Sequence, residues 1–167
     1  MGEHRCVNFS WIFDGVLTDF CGHFRHLFKE SVYDYEEREG EDSMWNLLRP
    51  FETLFWTDMP WIEGGKELWE YARSNFDVTI LSAIPNLSRS IHVIPGKEAW
   101  VKRELGDVPL ILCKRKDKAS YSAPGVILVD DYERNINDWN ELGGIGVLHK
   151  THEDSINQLQ LLINERQ

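Results

Sequence analysis

The chain has 167 residues, 42% of them hydrophobic and 28% charged, with a formal net charge of −10. That length suits one domain with a real core, and the composition excludes an intrinsically disordered chain. The acidic balance argues against general nucleic-acid binding, which needs a basic surface facing phosphates.

No apolar run approaches the ~18 residues of a membrane span, so no membrane partner is expected. The opening "MGEHRC" lacks the basic-then-apolar layout of a secretory signal. Three cysteines, Cys6, Cys21 and Cys113, show no metal-type spacing. They read as reduced thiols in a cytoplasmic compartment.

In chain order, five short apolar runs predict strands: 7–13, 77–83, 109–114, 125–131 and 144–149. Continuous apolar runs bounded by turn residues suit strands buried on both faces of a parallel sheet. Helical patterns at 64–76, 96–105 and 134–144 precede the second, third and fifth strands, and 152–166 predicts a terminal helix. Alternating strand and helix predicts a doubly wound α/β fold with right-handed crossovers. A long segment rich in aromatics separates the first two strands and reads as a helical cap over 21–61. The α/β core then comprises 1–20 and 62–167.

Ligands of an open parallel sheet bind outside the carboxyl ends of its strands. There the sequence delivers Asp14, Ser82, the basic run Lys114, Arg115, Lys116 and Lys118, and the pair Asp130 and Asp131. Carboxylates, a hydroxyl and a lysine on one rim suit Mg²⁺ and a phosphate. Taken singly, each has a plainer reading: a turn aspartate, a capping serine, a solvated basic loop, a helix-capping acid. The order of all four carries the signal.

That order resembles the haloacid-dehalogenase-like phosphohydrolases. "IFDGVLTD" at 12–19 is similar to the first motif, "TILS" at 79–82 to the second, Lys118 to the lysine motif and "ILVDD" at 127–131 to the fourth. Within that superfamily, "DGVLTDFCGHF", "FETLFWTDMPWIEGGKELWEYAR", "GKEAWVKRELG" and "VILVDDYERNI" resemble the 5'(3')-deoxyribonucleotidases. The resemblance implies a five-stranded Rossmann-like sheet with a cap after the first strand. It implies a Mg²⁺-dependent phosphomonoesterase acting on nucleoside monophosphates. Asp14 takes the place of the general acid and base and offers its carbonyl to the metal. Ser82 and Lys118 hold phosphate, Asp130 or Asp131 holds Mg²⁺, and Phe24, Trp45, Phe55 and Trp56 form the base pocket.

The chain departs from the pattern at its centre. The nucleophile position is Ile12, which has no lone pair to attack phosphorus or bind metal. Ala83 follows Ser82 where the look-alikes carry a second hydroxyl arrangement, Thr-Ser. The expectation is a phosphatase by descent that is silent by the usual mechanism, with Mg²⁺ bound weakly unless phosphate adds oxygens. The alternatives are a non-catalytic binder of a nucleotide or other phosphomonoester, an interaction protein, and an active enzyme with a rearranged site.

Overall fold

The computed structural model of the chain describes residues 8–11 and 13–165. Five parallel strands form one sheet in the order β3-β2-β1-β4-β5, with β1 Asn8–Trp11, β2 Asp77–Ala83, β3 Leu110–Cys113, β4 Ile127–Asp130 and β5 Ile145–Leu148. The order reverses at β1, so the chain winds outward in both directions. Helices α5 (Gly65–Asn75), α6 (Leu87–Glu104), α7 (Glu133–Glu141) and α8 (His152–Asn164) complete the core.

The two faces of the sheet can be read from strand alternation. Ile80, Ile127, Val129 and Val147 pack with Leu68 and Ala72 of α5, Val93 and Trp100 of α6 and Leu159 of α8. Leu81 and Leu128 point the other way and pack with Ile136 and Trp139 of α7. Both faces are therefore covered, which is why the strands read as continuous apolar runs.

Between β1 and β2 lie α1 (Phe20–Phe28), α2 (Val32–Glu39), α3 (Glu41–Leu48) and α4 (Leu54–Thr57). Asp19 caps α1 by accepting from the Gly22 N–H at 2.7 Å, so this acid has a structural task. Phe24, Phe55, Met44 and Leu48 make the interior of this insertion.

One element differs from expectation. The sequence pattern predicts a helix over 96–105, yet α6 begins at Leu87 and carries Pro95 within it. The Asn86 side chain caps its first turn by accepting from the Arg89 N–H at 3.2 Å. Gly96 then serves packing: a Cβ there would overlap Trp56 and the Thr53 carbonyl of the insertion. Among the described residues no helix is long and apolar enough to cross a membrane.

Candidate active site

A tight loop leaves the carboxyl end of β1 and presents Asp14. Gly15 takes φ +80, the left-handed region, and donates its N–H to the Thr18 carbonyl at 2.9 Å. Leu17 and Thr18 donate back to the Phe13 carbonyl at 3.1 and 2.9 Å. The Thr18 hydroxyl lies 3.3 Å from Asp14 Oδ1 and holds that carboxylate from one side. Ile12, at the position where the resemblance expects a nucleophile, lies outside the described residues.

Lys97 reaches the same carboxylate from α6. Its Nζ is 2.6 Å from Asp14 Oδ2, 2.9 Å from Ser82 Oγ and 3.0 Å from the Ala83 carbonyl. An ammonium has three donors, and this one has three acceptors. The rings of Phe13 and Trp56, with centroids 5.2 and 5.4 Å from Nζ, complete the enclosure. Lys97 is 1% exposed.

The resemblance pairs Ser82 with Lys118. The structure joins Ser82 to Lys97 instead, while Lys118 lies beside Asp130, with Nζ 3.8 Å from Oδ2. Lys97 was legible in principle. It falls in an apolar stripe with Val93, Trp100 and Val101, a place where a lysine must find buried acceptors.

Burial lowers the pKa of Lys118, and Asp130 opposes that shift. Asp130 is fully buried at the end of β4, and burial raises its carboxyl above the usual range against the pull of Lys118. Its Oδ1 accepts from the Tyr132 N–H at 2.8 Å and its Oδ2 from Asn135 Nδ2 at 2.7 Å. Each oxygen of Asp130 thus accepts one protein donor, and its side chain is fully buried, so Asp131 is the more accessible carboxylate of the pair. Asp131 sits at the mouth, partly open to solvent, with its carboxylate packed over Gly15 so closely that a Cβ there would overlap it. Burial of the carboxyl, then the charge of Asp130, pushes it up to about 6.

Among the described residues no three His, Cys, Asp or Glu side chains converge as a metal cage. Of the oxygens that the resemblance implies for Mg²⁺, those of Asp14, Asp130 and Asp131, the Asp131 carboxylate is the more exposed of the acidic pair. Mg²⁺ normally takes one or two carboxylates and completes its shell with water and phosphate oxygens. The site fits a Mg²⁺ that arrives with a phosphate better than one bound alone.

The aromatic residues divide. Phe24 and Phe55 are 0% and 1% exposed and belong to the packed interior of the insertion, so they offer no surface to a base in this arrangement. Trp45 and Trp56 are nearly parallel with centroids 6.0 Å apart, and both line a cavity of about 300 Å³ between α3 and α6. Arg89 of α6 lies over the Trp45 ring at 5.4 Å and pairs with Glu41, at 2.8 Å, and Asp42. Of the cysteines, Cys21 and Cys113 carry free thiols pushed up by burial, and Cys6 lies outside the described residues.

A haloacid dehalogenase-like family hydrolase from Xanthomonas campestris matches with a TM-score of 0.63 at 12% identity, over 96% of this chain and 93% of that one. The chain has the haloacid-dehalogenase-like fold. A haloacid dehalogenase-like family protein from Streptococcus pneumoniae matches with a TM-score of 0.51 at 12% identity, over 95% of this chain and 98% of that one. A hydrolase from Streptococcus pneumoniae TIGR4 matches with a TM-score of 0.50 at 10% identity, over 96% and 99% of the two chains. No family model matches the sequence, and neither does any curated protein.

Proposed function

We propose that this chain binds a phosphomonoester, with a (deoxy)nucleoside monophosphate as the leading ligand, and does not hydrolyse it by the aspartyl-phosphate route. The observation that carries the reading is the buried Lys97 ammonium, bonded to Ser82 and Asp14 at the carboxyl rim of this fold. A hydroxyl and a lysine in contact, with carboxylates and a second lysine on the same rim, suit the needs of a phosphate and its counter-ion. The hydrolase descriptions of the structural neighbours support a hydrolase ancestry.

Silence follows from residue chemistry. Ile12 brings neither lone pair nor charge to the nucleophile position. Asp14, the nearest carboxylate in sequence, accepts from Lys97 and Thr18, and in this reading it keeps the general acid and base role that the resemblance implies. When bound, Mg²⁺ would neutralise phosphate charge, with Asp131 and the Asp14 carbonyl as its protein ligands. Loss of the first carboxylate also removes an anion facing the phosphate. Two unit charges about 4 Å apart repel by roughly 1 to 4 kcal/mol in water-like to surface-like surroundings.

Binding has a structural requirement. All three donors of Lys97 are already used, so an entering phosphate oxygen must take the place of Asp14 Oδ2, Ser82 Oγ or the Ala83 carbonyl. Calorimetry with deoxynucleoside monophosphates and Mg²⁺ tests this reading. Saturable binding that disappears in Lys97→Met is expected. Unchanged binding in a folded Lys97→Met protein would overturn it.

A further inference from the structure

We propose that the Arg89 guanidinium occupies the seat of the ligand's planar base in the free protein and must leave it when a nucleotide binds. Arg89 is then a built-in competitor that sets affinity and selectivity. The proposal rests on the phosphate site read above at Lys97. Trp56 joins that site to the cavity between α3 and α6: its ring centroid is 5.4 Å from Lys97 Nζ, and the same side chain lines the cavity. Helix α6 sets the distance. Val93 and Arg89 precede Lys97 by one and two turns on one face, about 6 and 12 Å along the axis, and both line the cavity. A phosphate held at Lys97 would therefore present the group it esterifies to this cavity.

The lining suits a flat ring with polar edges. The planes of Trp45 and Trp56 are inclined by 20°, and Phe20 stacks on Trp56 with centroids 5.8 Å apart. Asn46 and His92 add hydrogen-bonding groups from the two helices. Stacking on aromatic faces, with bonds to the base edge, is how unpaired bases are held.

Over Trp45 that seat is filled. Arg89 Cζ lies 5.4 Å from the ring centroid, and the arginine side chain is only 21% exposed. A guanidinium is planar, delocalised and weakly hydrated, and it stacks on aromatic faces as a base does. Glu41 Oε1 accepts from Arg89 Nη1 at 2.8 Å and from Trp45 Nε1 at 3.1 Å, so one acid holds guanidinium and ring together. Asp42 accepts from the second guanidinium nitrogen. The side chains of these acids are 67% and 89% exposed. Water replaces such partners readily, so the guanidinium can swing out at small cost.

Calorimetry with Mg²⁺ and three probes, inorganic phosphate, deoxyribose 5-phosphate and dTMP, tests this on the wild type, Arg89→Gln and Arg89→Lys. Removing a cation ordinarily weakens anion binding. Arg89→Gln should instead bind dTMP about five- to tenfold more tightly, the change expected from releasing one cation–π contact and two exposed ion pairs. The two probes without a base should bind wild type and variant within about twofold of each other, on the same grounds. Arg89→Lys keeps the charge but loses the plane, and should fall between. A dTMP affinity that drops in Arg89→Gln would overturn the proposal, because Arg89 would then hold the ligand. An unchanged affinity would also overturn it and leave Arg89 as a clasp alone. In either case, inorganic phosphate binding that is lost in Lys97→Met would show the phosphate reading intact. A wild type that binds none of the three probes would overturn both readings together.

Discussion

The Lys97 ammonium lies 2.6 Å from the Asp14 carboxylate, across 83 residues of sequence, and ties the loop after β1 to helix α6. This one contact brings together the acid of the first motif and the hydroxyl of the second. Removing Lys97 leaves Ser82 and the Ala83 carbonyl without their donor, and Asp14 without its counter-charge. Asp14 is 34% exposed, so water recovers part of the loss. Lys97→Met should therefore cost about 2 kcal/mol in urea unfolding rather than the larger value of a fully buried pair. Adding Asp14→Asn should recover part of it, because the uncompensated charge is then gone.

Much of this arrangement was legible before any coordinates. Strands buried on both faces leave long apolar runs, and the runs ending at Ser82 and at Asp130 and Asp131 place their polar ends on one rim. Lys97 escaped because lysines on helices usually reach solvent. What marks it is the apolar character of its helical neighbours Val93 and Trp100. The resemblance implies Phe24 and Phe55 as pocket residues, but helical spacing alone cannot separate a core ring from a lining ring. Their burial assigns them to the core.

Asp131 makes stability depend on pH. Its folded pKa of about 6 lies above the ordinary value of 3.8. The folded state therefore holds this proton more tightly than the unfolded state does, and stability falls as pH rises from about 4 through 6. Solvent at the mouth screens the cost to about 1 kcal/mol. Asp131→Asn should raise Tm by about 3 °C at neutral pH and by much less in mildly acidic buffer. Scanning calorimetry at both pH values checks the difference. The same substitution should remove Mg²⁺ dependence from ligand binding.

Gly96→Ala sets two effects against each other. Alanine favours an interior helical position by about 1 kcal/mol. Its methyl group would overlap Trp56 and the Thr53 carbonyl, and backbone does not yield as a flexible side chain does. Overpacking of this kind costs about 1 to 3 kcal/mol. A net loss of about 1 kcal/mol is expected, with altered tryptophan fluorescence because Trp56 must move.

Arg89 clasps the insertion to α6 through Glu41, Asp42 and the ring of Trp45. Both acids are largely exposed, so Arg89→Gln should cost less than about 1 kcal/mol globally. Locally the effect should be larger. Amides of α3 should exchange faster in the variant, and added salt should reproduce that change in the wild type.

The central claim is a phosphate site without its attacking group. It is tested most directly by phosphate release from a panel of deoxynucleoside monophosphates with Mg²⁺, measured on the wild type and on Ile12→Asp, with thermal stability recorded for both. The account predicts no turnover by the wild type and measurable turnover by a folded Ile12→Asp protein. Wild-type turnover that vanishes in Asp14→Asn would contradict it, because hydrolysis would then run through a nucleophile this account assigns to proton transfer.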